Sequence, residues 1–213
     1  MIEDAVSPWK AKVLENEKKI AELSEKLGVS KAESSTLRQR IDDSNVQHDD
    51  LENYGRRMNI RIEGIEYEKE ETEPQLFDKI KKCLQEVEIN VEKRDIIRFH
   101  RSAAPVRRQG RLVAQTIVKL AGWEHRRKAH YANKQARQQN KSFRIHNDLT
   151  RRRFDLLSHA RERLSTLYAN AAPNVTVPFA YADVNSNLKL RRGAEVWDFN
   201  TRGDLNNALH ELE

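Results

Sequence analysis

The sequence predicts an α+β protein in three parts: a coiled-coil helix over residues 1–55, a β-α-β-β-α-β domain over 56–147, and a small α+β domain over 148–213. Three observations predict it. Apolar residues follow heptad spacing through the first part. Near residue 56 the period changes from helical to alternating. Charged residues make up 34% of the chain against 38% hydrophobic, too polar for one compact core of 213 residues and too periodic for a disordered chain.

With Val6 at position a, nine of fourteen a and d positions between Val6 and Leu51 are apolar, among them Val13, Ile20, Leu23, Leu27, Leu37, Ile41 and Leu51. The flanking positions carry Lys, Glu, Gln and Ser, so the stripe is as narrow as a coiled-coil seam. No second helix in the first 55 residues could cover it, which makes another copy of the chain the expected partner. Val or Ile at four a positions with Leu at three d positions leans toward a parallel dimer by packing rules. Asn16, Ser30, Ser34, Ser44 and His48 interrupt the seam; His48 reads as solvated rather than metal-bound, because no second ligand lies nearby. Gly55 is expected to stop the helix.

Met58 to Ile65 alternates apolar and polar, the signature of a half-buried strand. An acidic loop, Glu66 to Glu73, expected as solvated, precedes Pro74 at the start of a helix whose face carries Leu76, Phe77, Ile80, Cys83, Leu84 and Val87. Residues 96–101 and 112–120 read as strands, joined through a basic loop, Arg107 to Arg111. A helix over 123–138 and a strand at 143–145 complete the unit. A basic helix then starts at Arg151, capped by Asp148 or Thr150. Short strands at 179–181, 188–190 and 196–199 lead to a last helix, with Thr201 and Asp204 as its capping pair.

The net charge of +6 is unevenly distributed. Residues 94–165 hold 19 Lys/Arg against 5 Asp/Glu, while every other stretch is net acidic. So concentrated a field points to a polyanion, nucleic acid above all.

Several motifs together resemble a known family: Leu51-Glu52-Asn53-Tyr54-Gly55-Arg56-Arg57-Met58-Asn59-Ile60-Arg61-Ile62-Glu63-Gly64-Ile65, then Arg98-Phe99-His100-Arg101, the basic loop before Leu112, and Asn147-Asp148-Leu149-Thr150. In this order and spacing they resemble the first-open-reading-frame RNA-binding protein of LINE-type retrotransposons, the transposase 22 family, over about residues 50–213. The resemblance implies a parallel homotrimer where the heptads lean toward a dimer. It also implies a noncanonical RNA-recognition-motif domain, binding of single-stranded RNA and DNA, and a nucleic-acid chaperone that packages the element's transcript in a cytoplasmic ribonucleoprotein, with the nucleus as a second location.

The family's R-x-N-x-R element matches Arg57, Asn59 and Arg61. Strand alternation puts these on one face with Met58, Ile60 and Ile62 on the other, so guanidiniums flank an amide as phosphates and base edges require. Arg101, Arg107, Arg108 and Arg111 match the basic strand-and-loop region, the last three expected as a flexible arm. Arg151, Arg152 and Arg153 match the basic start of the C-terminal domain, and Arg144 sits on the fourth strand beside His146. The strand over 112–120 has no aromatic residue, so backbone contacts should outweigh base stacking. Tyr181 and Trp197 are the remaining aromatic candidates.

The sequence offers no enzyme and calls for no cofactor or metal: P-loop, H-E-x-x-H and Cys/His quartet are all missing. Cys83 is the single cysteine, expected as an inert core thiol. No apolar run approaches the roughly 18 residues of a membrane span, and the first residues lack a secretory pattern, so no membrane partner is expected. The competing readings are a coiled-coil scaffold whose basic domain binds acidic proteins, and an adaptor on a membrane surface.

Overall fold

The computed structural model describes residues 2–172 and 175–212. It is a mixed α+β chain in which a long helix precedes antiparallel sheet. The chain divides into two compact units, Met1–His48 and Asp49–Glu213.

Helix α1 spans Ile2–Arg56. Its seam residues Val13, Ile20, Leu23, Leu27, Leu37 and Ile41 are all more than half exposed, as is Leu51. Val6 lies outside the residues whose side chains are described. Among the described residues no helix is long and apolar enough to cross a membrane. Gly55 does not stop the helix as expected: it sits inside the last turn, without the positive φ that a C′ glycine adopts.

The unit boundary falls before the expected 55/56 junction because the last turns of α1 are bonded into the second unit. Asp49 meets Arg153 and Thr150, the Asn53 side chain donates to Asn185 O at 3.3 Å, and Arg56 reaches Asp148 at 3.2 Å. These partners lie more than 90 residues away in sequence, which no local pattern reveals.

After α1 come β1 (Asn59–Glu66), α2 (Glu73–Gln85), β2 (Ile96–Arg101), β3 (Val106–Arg108), β4 (Arg111–Leu120), α3 (Trp123–Gln138) and β5 (Arg144–Asn147). The strands pair antiparallel in the order β2-β4-β1-β5, with β3 added on β4. Ile60 and Ile62 of β1 and Val118 and Leu120 of β4 point to the side covered by α2 and α3, where Ile80, Leu84, Ala129, Ala132 and Phe143 complete a buried core. Thr72 caps α2 in a reciprocal capping box with Gln75.

The basic segment is not a flexible arm. Arg107 and Arg108 lie in β3, which forms a hairpin with β4 through a two-residue turn. Gln109 and Gly110 there have φ of 49° and 79°, the paired positive values of a type I′ turn, whose twist matches the flanking strands. Gly64 sits where the β1–β4 register shifts, at φ 93°, and a Cβ there would lie 2.4 Å from the Ser142 carbonyl oxygen. Only glycine fits so close a backbone approach.

A second core follows. Helix α4 (Arg151–Leu167), the three-stranded antiparallel sheet β6-β7-β8 (Phe179–Ala182, Leu188–Arg192, Glu195–Asp198) and α5 (Arg202–His210) enclose Leu157, Ala160, Leu164, Leu188, Leu190, Phe199 and Leu205. Thr150 caps α4 by accepting from Arg153 N, and Thr201 with Asp204 boxes the start of α5.

Candidate nucleic-acid interface

The face of the larger sheet opposite α2 and α3 is polar. Register aligns His100, Ile117, Arg61 and His146 in one row across β2, β4, β1 and β5, and Arg98, Lys119 and Asn59 in the next. Residues directly opposite on antiparallel strands share a face, so the two rows make one surface.

At the β5 side this face deepens into a cleft of about 320 Å³. Its basic side chains come from four elements: Arg61 on β1, His146 on β5, His130 and Arg137 on α3, and Arg161 on α4. Phe154 and Tyr181 supply aromatic walls. Among the described residues Glu63 is the one carboxylate in the lining. The Arg61 guanidinium lies 5.6 Å from the Phe154 ring centroid, and its Nε is buried without a hydrogen-bond partner, 3.9 Å from Glu63 Oε1. Arg161 donates from Nε to Ala180 O at 3.1 Å, and neither it nor Arg137 has an ion-pair partner among the described residues.

Electrostatics follow from this crowding. Burial lowers the pKa of His146; Glu63, 3.8 Å from its Nε2, opposes that, while Arg61, Arg137 and Arg161 push the same way as burial. Burial and neighbouring Arg137 lower the pKa of Arg161. His130 is also lowered, first by burial, against the hydrogen bond of its Nδ1 with Asn147 Oδ1 at 3.1 Å. The guanidiniums of Arg137 and Arg161, unpaired among the described residues, with that of Arg61, two neutral imidazoles and two aromatic rings can hold an anion that also presents a flat ring.

The predicted residues divide sharply. Arg61 lies in the cleft. Arg57 does not share its face, since it precedes the strand and stacks on Tyr54 at 3.4 Å. Asn59, expected between two guanidiniums on an open face, is instead buried, donating to Asp148 Oδ2 at 2.9 Å. Arg101 does not share the open face with Arg61: it points to the helix side of the sheet, where it bonds both oxygens of Glu71, three backbone carbonyls and Thr116. Arg153 is equally committed, to Asp49 at 2.8 Å, Asp50 at 2.5 Å and Ser186 O. Arg144 donates to the carbonyls of Lys141 and Phe143, closing its own turn. Arg151 is exposed and paired with Asp155, Arg152 is half-buried, and Arg107, Arg108 and Arg111 are exposed on the hairpin.

Tyr181 belongs to the cleft, whereas Trp197 packs against the second core and donates to Glu211. Sequence reasoning missed Arg137, Arg161 and His130. One signal was present: His130, Asn133 and Arg137 recur at helical spacing, a polar stripe beside the buried alanines of α3. The acidic loop is not solvated throughout, since the Glu71 side chain is 6% exposed and holds Lys79 as well as Arg101. Compared with family models and with curated proteins, the sequence matches none.

Proposed function

We propose that this chain binds single-stranded nucleic acid, RNA first, in the cleft beside β5, and self-associates through α1. The observation that carries the reading is the cleft itself: three guanidiniums and two imidazoles face two aromatic walls and a single carboxylate. Phosphates suit the guanidiniums, and unpaired bases suit the rings. An acidic protein partner would leave Phe154 and Tyr181 without a role. The chain acts as a binding protein rather than an enzyme.

The strand order β2-β4-β1-β5 with two helices on one face supports a split βαβ unit of the RNA-recognition type. It is noncanonical, because the open face of β4 presents Gln115, Ile117 and Lys119 in place of stacking aromatics. The exposed apolar seam of α1 supports a coiled coil, and the family resemblance selects a parallel homotrimer. Three linked clefts gain avidity, about 10²- to 10⁴-fold when a strand can span them. Such an assembly suits packaging of a long transcript and chaperoning of its strands, as a cytoplasmic ribonucleoprotein.

The test replaces Arg61 and Arg161 together by alanine and measures binding of a fluorescent single-stranded RNA across a salt series. Affinity should fall at least about tenfold, and the log–log salt slope should shrink by about 0.7 for each phosphate that the variant no longer neutralises. Circular dichroism should be unchanged. Equal affinity and slope in the variant and the parent overturn the assignment.

A further inference from the structure

A second cavity, of about 530 Å³, opens on the helix side of the same sheet, between α2 and the β3–β4 hairpin. Its floor is apolar, with Val113 and Phe143 both buried. Arg108 and Arg111 enter from the hairpin and Lys82 from α2. None of the three has an ion-pair partner among the described residues. The other charges of the lining are largely spoken for: Lys79 is held by Glu68 and Glu71, and Glu86 by Lys141 at 3.2 Å. That leaves Glu66 as the one unpaired carboxylate among the described lining residues.

Arg108 and Arg111 are direct cross-strand partners. Like charges so placed repel and destabilise a hairpin. A tetrahedral oxyanion between them reverses that cost, accepting hydrogen bonds from both guanidiniums while Lys82 completes the charge. We propose that this cavity is a second phosphate site, held by Lys82, Arg108 and Arg111, which takes a backbone phosphate of the bound nucleic acid. It is built from different residues than the cleft beside β5, and rests on the nucleic-acid reading only for the source of its phosphate.

Cys83 lines the cavity and is the chain's single cysteine, so it reports occupancy directly. Burial pushes its thiol up to about 11, so a neutral alkylating reagent is best applied at about pH 9, where some thiolate exists. The full chain is labelled with and without inorganic phosphate at matched ionic strength, and with a single-stranded oligonucleotide whose binding is followed independently by anisotropy. Filling the cavity to nine-tenths slows alkylation about tenfold. The protection should vanish in Arg108→Gln/Arg111→Gln, and be weakened in Lys82→Gln, which changes a different element and leaves the hairpin intact. Undiminished labelling under both phosphate and bound oligonucleotide overturns the site. Protection by inorganic phosphate but not by bound oligonucleotide overturns the backbone-phosphate assignment. An oligonucleotide that fails to bind at all refutes the reading of the cleft instead, and the phosphate arm still decides the cavity.

Discussion

Replacing Asp49 by alanine should destabilise the second unit from a position that the heptads assign to the coiled coil. The Arg153 side chain is 6% exposed, and four bonds hold it there: to Asp49 Oδ2 at 2.8 Å, Asp50 Oδ1 at 2.5 Å, Ser186 O at 3.0 Å and Asn187 Oδ1 at 3.5 Å. Asp49 also accepts from the Thr150 hydroxyl, the cap of α4. Breaking a buried ion pair by removing one partner costs about 3–5 kcal/mol, because the remaining charge stays desolvated. Asp50 remains, though its side chain is 55% exposed, so the lower end, about 3 kcal/mol, applies. For a unit of this size that lowers Tm by about 6–12 °C. Differential scanning calorimetry on Asp49→Ala reads the shift, and Asp49→Ala/Arg153→Met should recover part of it by removing the stranded charge. A single variant melting within about 2 °C of the parent refutes the buried pair as a structural element. The same reasoning sets where the chain can be cut: a fragment beginning at Arg56 loses Asp49, Asp50 and Asn53, and should be less stable than one beginning before Asp49.

Gly64→Ala should destabilise the sheet by at least about 1–2 kcal/mol from positive φ alone, with more from the approach of its Cβ to the Ser142 carbonyl, and chemical denaturation measures it. Affinity for single-stranded RNA should rise as pH falls from about 7.5 to 5.5, since phosphate in the cleft favours the imidazolium form of His146. Without RNA the sign is opposite: with its folded pKa lowered, His146 contributes stability that is complete above the ordinary imidazole range and lost as pH falls toward the depressed value. His146→Gln should flatten both profiles. Sedimentation equilibrium should give about three times the 24.9 kDa chain mass, a stable species of twice that mass refuting the trimer, and Leu23→Asp with Ile20→Asp should lower the assembly state.

Periodicity made most of the fold legible. Alternation in 58–65 located β1 and the long run 112–120 located β4, since one face of each is buried against helices while the other is open. Pro74 in the first turn of α2 and the box of Thr201 with Asp204 marked two helix starts from chemistry within one turn. What sequence missed is the part decided by distant packing. The Arg107–Arg111 segment is a hairpin because β4 has a free edge there for β3 to join, and a strand of three residues leaves too short an alternation to read. Gly55 has the composition of a stop, yet helix continues through it, the next residue being tied down by Arg56 bonded to Glu52 and Asp148. At an exposed helical position a glycine costs only about 1 kcal/mol, which such contacts offset.

The site was legible as a charge excess and illegible as a map, for one physical reason. A cation is available to a ligand only if no acid already holds it, and the acids that hold these cations come from far along the chain. Glu71 reaches Arg101 across 30 residues, and Asp49 reaches Arg153 across 104. Arg126, another of the basic stretch, is fully buried and braces the Arg57 carbonyl and Asn147; burial brings it down to about 10, so it carries charge that never meets solvent. The acidic stretches thus neutralise, from a distance, part of the surplus counted over 94–165. Among the described residues, Arg137 and Arg161 in the cleft beside β5 and Lys82, Arg108 and Arg111 in the helix-side cavity are cations that no acid holds, while Arg61 in the cleft lies 3.9 Å from Glu63. Each group draws on elements from both sides of the basic stretch's boundaries or from separate helices and strands within it. Counting charge along the chain therefore measures only the excess, while the tertiary pairing of acids with bases decides which arginines are left without an acid.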